Sequence, residues 1–268
     1  MRSPEEGQAD RAGTAVLGVF LAILLLAIPC LATDLSPAEE RDEIYMLTAY
    51  AIVLKGWQTS TSGPDVRGYN IGSVLVNEAG LIVCWARNTV AITDNQTQHG
   101  EVRLMTNYLG IHGGGTLTDY RIYTTLEPCA MCAGMMTMAR VLETIWGQKD
   151  PHFGDALERL AIDSSSIGGY APYPWVVPSR GVRSDIRIAL EASYAQHENE
   201  HITEWLTWDS TRTLYQEALD LLLDYPLRYP ENENVLSQAL DVLDSVPAEY
   251  QHLPYDVCCT CSTCDAAE

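Results

Sequence analysis

The chain has 268 residues, 47% of them hydrophobic, which is enough to bury the core of one large domain or of a smaller domain with an extension. Its 36 Asp and Glu residues outnumber its 16 Lys and Arg residues, and the net charge is −20. This balance argues against long duplexes or folded RNA as ligands, because proteins that bind them usually present a basic face to the phosphates. Small ligands and short single strands of nucleic acid remain open.

The first 32 residues have the pattern of a targeting segment. Ala15 to Ile28 is apolar and uncharged, Pro29 ends the run, and Ala32 supplies the small residue that a cleavage site needs. This order is typical of a secretory signal peptide, so we expect a secreted or extracytoplasmic protein. An uncleaved signal anchor is the alternative, because the run approaches the length of a membrane span. The membrane is a partner only in that second case.

Local signals predict alternating helices and strands across residues 34–165. Ser36 and Glu39 form a capping-box pattern that begins a helix, and Gly56 follows its expected end at Lys55. The later elements follow from apolar periodicity and from turn residues. They are strands at 71–76 and 81–86 joined by a turn, a helix at 99–110, a strand at 120–126, a helix from Pro128 to about 140, a strand at 141–146 and a short helix to about 161. This order predicts a layered α/β domain.

A stretch rich in Ser, Gly and Pro, residues 164–181, precedes a helical and strongly acidic C-terminal region. Apolar residues recur at nearly helical spacing over 202–223 and again over 234–246. We therefore divide the chain into a targeting segment at 1–32, an α/β domain at 33–165, and a helical extension with a Cys-rich tail at 166–268.

Two short motifs carry the chemistry. His99-Gly-Glu101 begins one predicted helix, and Pro128-Cys129-Ala-Met-Cys132 begins the next. Zinc favours four tetrahedral ligands, and a catalytic site leaves one position for water. One imidazole and two thiolates supply the other three, and the positive end of a helix favours thiolates. Glu101 is then placed to move protons beside the Zn²⁺ rather than to bind it.

The eight cysteines allow other interpretations. A Cys-x-x-Cys pair alone fits a redox pair or part of a structural zinc site equally well. Cys84 lies in an apolar run and is expected to be an inert buried thiol. The remaining tail cysteines could form disulfides, hold a small metal cluster or have no function; they are Cys258, Cys259, Cys261 and Cys264.

From Asn88 to Gly154 the sequence resembles the cytidine deaminase superfamily of CMP/dCMP-type zinc deaminases. The segment Thr125-Leu-Glu-Pro-Cys-Ala-Met-Cys-Ala-Gly134 is most similar to the branch of tRNA adenosine and guanine deaminases. Thr97-Gln-His-Gly-Glu101 departs from that branch, which usually has Thr-Ala-His-Ala-Glu. The resemblance implies a three-layer α/β/α fold with a mixed five-stranded sheet, and a homodimer or higher oligomer. We expect the fifth strand at 175–177 or 186–189.

The resemblance also implies further site residues. Asn88 occupies the place of a base-contacting asparagine, and Asp150, His152 and Phe153 lie in a loop that borders the substrate in the family. We therefore expect a zinc-dependent hydrolytic deaminase that removes the exocyclic amine of a nucleobase, with water activated by the zinc as the nucleophile. A free base, a nucleoside and a base in single-stranded nucleic acid stay open as substrates. The alternative is an exported toxin, effector or binding protein of deaminase fold without turnover on small substrates.

Overall fold

The computed structural model describes residues 35–247, so the predicted targeting segment and the tail cysteines lie outside the described residues. Within that range the chain forms helices around one five-stranded sheet. The helices are α1 (Pro37–Lys55), α2 (Gly100–His112), α3 (Ala130–Ala139), α4 (Ala156–Leu160), α5 (Asp185–Tyr194), α6 (Ile202–Trp205), α7 (Asp209–Leu223) and α8 (Glu233–Ser245). The strands are β1 (Gly72–Val76), β2 (Ile82–Arg87), β3 (Arg121–Thr124), β4 (Glu143–Trp146) and β5 (Ser179–Gly181).

The sheet is mixed, with the strand order β2-β1-β3-β4-β5. β1 pairs antiparallel with both β2 and β3, whereas β3–β4 and β4–β5 are parallel pairs. Alternate residues of the strands face two separate cores. Val74 and Val76 of β1 pack in the core that contains α1, and Leu75 between them packs in the core that contains α2 and α3. Helices therefore cover both faces, which confirms the α/β/α arrangement and the mixed five-stranded sheet.

Helix α1 lies at the centre of one core. Ser36 caps it and forms the predicted capping box with Glu39, and the chain leaves the helix at Gly56. Nearly the whole middle of the helix is buried, from Ile44 to Val53. A helix that is buried on all sides shows little amphipathic pattern, because the sheet contacts one side and other helices contact the rest.

The helical extension supplies those other contacts. Residues of α5, α7 and α8 lie in the same hydrophobic cluster as α1 and the inner face of the sheet. Glu40 of α1 is 1% exposed and accepts hydrogen bonds from the backbone N–H groups of Arg228 and Tyr229 and from the Asn232 side chain. Tyr225 donates a hydrogen bond of 2.6 Å to Glu43. The hydrophobic core thus continues across residue 165, and the predicted domain division there stays a prediction.

Two details of the sequence prediction are wrong. The fifth strand is Ser179–Gly181, whereas residues 186–189 belong to α5. This strand is a three-residue edge strand held by parallel pairing to β4, and it has no apolar run to mark it. The predicted helix at 202–223 is two helices, α6 and α7, with a break before Trp208, the N-cap residue of α7.

No helix within residues 35–247 is long and apolar enough to span a membrane.

Candidate active site

Three predicted metal ligands meet where two helices begin. His99 is the N-cap residue of α2, Cys129 is the N-cap residue of α3, and Cys132 lies in the first turn of α3. Neither cap residue uses its side chain to cap its own helix, so both are available to bind a ligand. The two cap residues have extended backbone conformations, with φ and ψ of −69° and 151° for His99 and −71° and 171° for Cys129.

The spacing of the three donor atoms fits zinc. His99 Nδ1 lies 3.7 Å from Cys129 Sγ and 3.5 Å from Cys132 Sγ, and the two sulfurs are 3.7 Å apart. Tetrahedral zinc, with bonds of about 2.3 Å to sulfur and about 2.0 Å to nitrogen, places its ligand atoms about 3.5–3.8 Å apart. The group of His99, Cys129 and Cys132 can therefore hold one metal ion, as the sequence predicted.

The two thiols differ in acidity. The Cys132 thiol donates to Cys129 and, with the nearby His99 ring, lowers the pKa of Cys129 to about 4. The same hydrogen bond, together with burial, raises the pKa of Cys132 well above its usual range. Burial lowers the pKa of His99, but its hydrogen bond to Cys129 and the charges of Glu101 and Cys129 outweigh burial and raise that pKa. These effects favour the thiolate form of Cys129, the form in which a cysteine binds zinc.

Glu101 lies beside the ligands without joining them. Its side chain is 3% exposed, and Thr124 of β3 donates to its Oε1 at 3.2 Å. Its Oε2 is buried and has no hydrogen-bond partner among the described residues. Burial raises the pKa of Glu101, while the charge of His99 opposes that rise. A buried carboxyl group with one hydrogen-bonded oxygen and one oxygen without a partner is suited to proton transfer.

A cavity of about 320 Å³ lies beside the metal ligands and Glu101. Its size is at the small end of the range for ligand pockets, roughly 300–1,000 Å³. The walls combine His99, Glu101 and Cys129 with Tyr69 and Ile71, which precede β1, and with His201, Ile202 and Thr203 of the extension.

The predicted substrate loop borders this cavity, but its residues differ in exposure. Asp150 is 5% exposed, and its Oδ1 accepts the backbone N–H groups of His152 at 2.9 Å and Phe153 at 3.0 Å. Phe153 is 56% exposed and lines the cavity. His152 lies in the adjacent cleft with Lys149 and Tyr194. The roles of all three in substrate binding stay predictions.

Asn88 is fully buried and does not belong to the cavity lining. Its Oδ1 accepts the backbone N–H groups of Tyr69 and Val90, each at 3.2 Å. Asn88 thus fixes the segment that carries Tyr69, a residue of the cavity wall. Direct contact of Asn88 with a base stays a prediction.

Sequence reasoning missed two contributors. Glu127, inside the quoted motif, accepts the backbone N–H groups of Asp150 and Asp155 and so ties the substrate loop to the start of α3. Gly154 allows this close approach, because a Cβ there would lie 2.1 Å from Glu127 Oε2. The motif had named the glutamate, but only the fold shows its partners. His201 lies far along the chain from both motifs, and no local pattern marks it.

A buried His-Cys-Cys ligand set with an adjacent glutamate, at two helix starts beside a mixed sheet, defines a metal site of the zinc deaminase type. Residues 40–148 match the model of the cytidine and deoxycytidylate deaminase zinc-binding region. The chain belongs to this family, and within it to the branch of tRNA adenosine and guanine deaminases. Zinc is its cofactor, with His99, Cys129 and Cys132 as the residues that can hold it.

Several similar proteins are deaminases. The chain is 30% identical over 103 residues to the tRNA-specific adenosine deaminase of Rickettsia felis, and 33% identical over 103 residues to that of Rickettsia bellii. These matches cover 38% of this chain and 72% and 71% of the two enzymes. Guanine deaminase of Bacillus subtilis is 30% identical over 98 residues, covering 37% of this chain and 58% of that protein.

Solved structures of this class are also similar. The crystal structure of Bacillus subtilis guanine deaminase shares 21% sequence identity, with a TM-score of 0.37 over 59% of this chain and 94% of that chain. A structure from work on tRNA:A34 deaminases shares 23% identity, with a TM-score of 0.37 over 45% of this chain and 83% of that chain.

Proposed function

We propose that the protein is a zinc-dependent hydrolase that removes the exocyclic amine of a nucleobase, either free, in a nucleoside or in a single strand. The observation that carries the proposal is the position of Glu101. Its buried carboxyl lies beside three zinc-spaced donor atoms and at the wall of a cavity of about 320 Å³. A structural zinc site has no need of an uncommitted buried carboxylate or of an open cavity.

The reaction replaces the C–NH₂ group of a base with C=O, consumes one water molecule and releases ammonia. The zinc, when bound, would supply a Lewis acid that makes water nucleophilic near neutral pH. Glu101 takes a proton from the attacking water at its uncommitted Oε2 and delivers it to the ring nitrogen. A second transfer through the same carboxyl protonates the departing amine, so Glu101 returns to its starting state.

Neighbouring residues hold Glu101 in position. Ser73 donates to Thr124 at 3.1 Å, and Thr124 in turn donates to Glu101 Oε1 at 3.2 Å. This chain of hydroxyl groups runs from β1 through β3 and holds one carboxyl oxygen against the sheet. The other oxygen is then left for proton transfer.

The decisive comparison is between the wild-type full-length chain and Glu101→Gln, both loaded with zinc. Each is incubated with free bases, nucleosides and single-stranded DNA and RNA, and ammonia release is measured together with the mass of the product. We expect the variant to bind zinc normally and to lose about 10²- to 10⁴-fold in rate, the usual contribution of a general acid–base group.

Glu78→Gln is the matched control, because Glu78 is an exposed glutamate in the β1–β2 turn, outside the cavity. Its rate is expected to equal that of the wild type. Equal rates for wild type and Glu101→Gln would reject the proposed proton transfer. Zinc-loaded wild type without activity on any of the substrates would favour a binding protein of deaminase fold.

We further propose that the protein acts outside the cytoplasm, on the strength of the apolar segment from Ala15 to Ile28. The test is the N-terminal peptide of the protein recovered from its source cells and their medium. A chain that begins after Ala32 in the medium would agree with export. An intact Met1 in the cytosolic fraction would reject it.

A further inference from the structure

The helical extension reaches the active-site cavity at one place, the start of α6. His201, Ile202 and Thr203 form part of the cavity wall, and all three lie outside residues 40–148, which match the family model. Buried side chains and a hydrogen bond of the same segment hold these three residues in place. Ile202 is 1% exposed and Trp205 is fully buried, while Asn70 donates to the carbonyl oxygen of Leu206 at 3.0 Å.

The His201 ring is itself oriented. Its Nδ1 accepts the backbone N–H of Thr203 and lies 2.8 Å from the Thr203 hydroxyl. Since Nδ1 acts as an acceptor, the neutral ring carries its proton on Nε2. His201 therefore presents an aromatic face and one N–H donor from a fixed position on the wall of the cavity.

Two rings of the substrate loop lie close to the His201 ring. His152 stacks on it, with ring centroids 5.2 Å apart and planes at 11°, and Phe153 lies 6.3 Å away. Asp150 holds the backbone of both loop residues. A ring as exposed as Phe153 has no stabilising role in a core, but an aromatic face beside an active site can stack on a flat base.

The charge of the cavity wall limits what the rings can hold. The described residues that line it include three carboxylic acids, Glu101, Glu127 and Asp150, and neither lysine nor arginine. Phosphate groups are bound through Arg, Lys or clustered N–H donors, and acidic neighbours repel them. The described wall offers no cationic side chain to bind a phosphate, whereas a neutral base or nucleoside needs none.

We propose that the extension completes the substrate pocket, and that His201 and Phe153 hold the flat face of an unphosphorylated base or nucleoside. The proposal rests on the proposed deaminase function and goes further, because it names the substrate class and a specificity-determining residue beyond the zinc-binding region. His201 contacts the base rather than the reacting bond, so its loss weakens binding more than turnover.

Two substitutions test the aromatic ring of His201 separately from its role as the N-cap residue of α6. His201→Asn removes the aromatic face and keeps a side chain that is favoured at a helix N-cap, whereas His201→Phe keeps the face and removes the cap. The matched control is His197→Asn, which removes a histidine of the same extension that packs edge-on against Trp208, outside the cavity lining. The probes are adenine, guanine, cytosine, their nucleosides and the corresponding 5′-monophosphates.

Steady-state kinetics of the zinc-loaded full-length proteins give the first readout. We expect His201→Asn to raise KM about tenfold, within the range measured for loss of base stacking, with little change in kcat. His201→Phe, which keeps an aromatic face, should raise KM less than His201→Asn does, and His197→Asn should stay close to wild type. A 5′-monophosphate should be a much poorer substrate than its nucleoside. An unchanged KM in His201→Asn, or equal turnover of nucleoside and monophosphate, would overturn the proposal.

Calorimetric binding of the same probes keeps this inference separate from the proposed function. Absence of turnover in the wild type counts against deamination, not against the pocket. In that case, binding of a base or nucleoside that weakens about tenfold in His201→Asn still supports the pocket. Binding that is indifferent to His201, preference for the monophosphates, or no binding of any probe rejects it.

Discussion

At the residue scale, the backbone at the start of α3 places the side chains of Cys129 and Cys132 close enough to bind one metal ion. Both lie at the start of α3 with their sulfurs already 3.7 Å apart, and the free N–H groups and dipole of the helix favour negative charge at its N-cap residue, Cys129. Cys84 is a useful contrast. It forms no disulfide either, but it is fully buried in β2 among apolar side chains, as the sequence predicted.

We expect zinc binding to depend on Cys129 and not on Cys84. Cys129→Ser replaces a thiolate ligand with a hydroxyl that stays protonated near neutral pH, so we expect a loss of zinc affinity greater than about 100-fold. That expectation exceeds the 10- to 100-fold typical of residues that only orient a ligand. Metal analysis after dialysis against a chelator measures it. Cys84→Ala should keep about one zinc per chain, and a Cys129→Ser protein with equal zinc content would contradict the assignment.

The residues found from sequence share one property. His99, Glu101, Cys129 and Cys132 lie within a few positions of a helix start, so two short motifs, together with the demands of zinc and the resemblance to zinc deaminases, placed them. His201 has neither advantage. It approaches the cavity only because the extension packs on α1, and its contacts with His152 and Phe153 join residues that are distant in the chain. Such a contact has no local pattern.

At the scale of elements, one buried side chain ties the loop between β4 and α4 to the start of α3. Glu127 is 4% exposed, and its two oxygens accept the N–H of Asp150 at 3.1 Å and the N–H of Asp155 at 3.0 Å. Burial raises the pKa of Glu127, and the two backbone donors oppose that rise. The loop that presents Phe153 to the cavity is therefore fastened to the helix that carries Cys129 and Cys132.

Glu127→Gln should loosen that loop. A glutamine has one acceptor oxygen, so one of the two backbone N–H groups loses its partner, at a cost of about 1–3 kcal/mol. We expect a lower Tm, faster amide hydrogen exchange in residues 150–155 and a higher KM with zinc retained.

Glu158→Gln tests the specificity of this effect, because Glu158 is an exposed glutamate on the neighbouring helix α4. It should leave exchange in the loop unchanged. Equal exchange rates in Glu127→Gln and in the wild type would show that the loop does not depend on Glu127.

Element boundaries were predictable where a side chain marks them, as Ser36 and Glu39 mark the start of α1. They were not predictable where pairing alone creates the element. β5 consists of Ser179, Arg180 and Gly181, a sequence with no strand pattern, and it forms because β4 offers a free parallel edge. The break between α6 and α7 is similar, since Thr211 binds the Trp205 carbonyl at 2.8 Å and so turns the chain there.

At the scale of the whole molecule, α1 joins the zinc-binding region to the extension. One side packs on the sheet, and the other packs on α7 and α8 in a single hydrophobic cluster. Its buried carboxyl groups, Glu40 and Glu43, accept hydrogen bonds from residues of the extension. Removal of those donors would leave charges buried without partners, which is costly. The two regions should therefore unfold together.

Leu222→Ala tests this coupling far from the zinc. Leu222 of α7 is fully buried in the cluster, and removal of a buried leucine side chain usually costs about 2–5 kcal/mol. The adjacent residue, Leu223, is 60% exposed, so Leu223→Ala is the matched control and should change stability little. The measurement is thermal unfolding followed by circular dichroism and, in parallel, by release of zinc to a chromogenic chelator.

We expect Leu222→Ala to lower both transitions by the same amount, because one cooperative unit loses its packing and its metal site together. The reason is structural: α7 supports α1, α1 supports the sheet, and the sheet positions the helices that carry His99 and Cys129. If the circular dichroism transition splits while zinc release stays at the wild-type temperature, the extension is an independent domain. The division at residue 165 would then mark a true boundary, and the wall that His201 contributes would be held by docking alone.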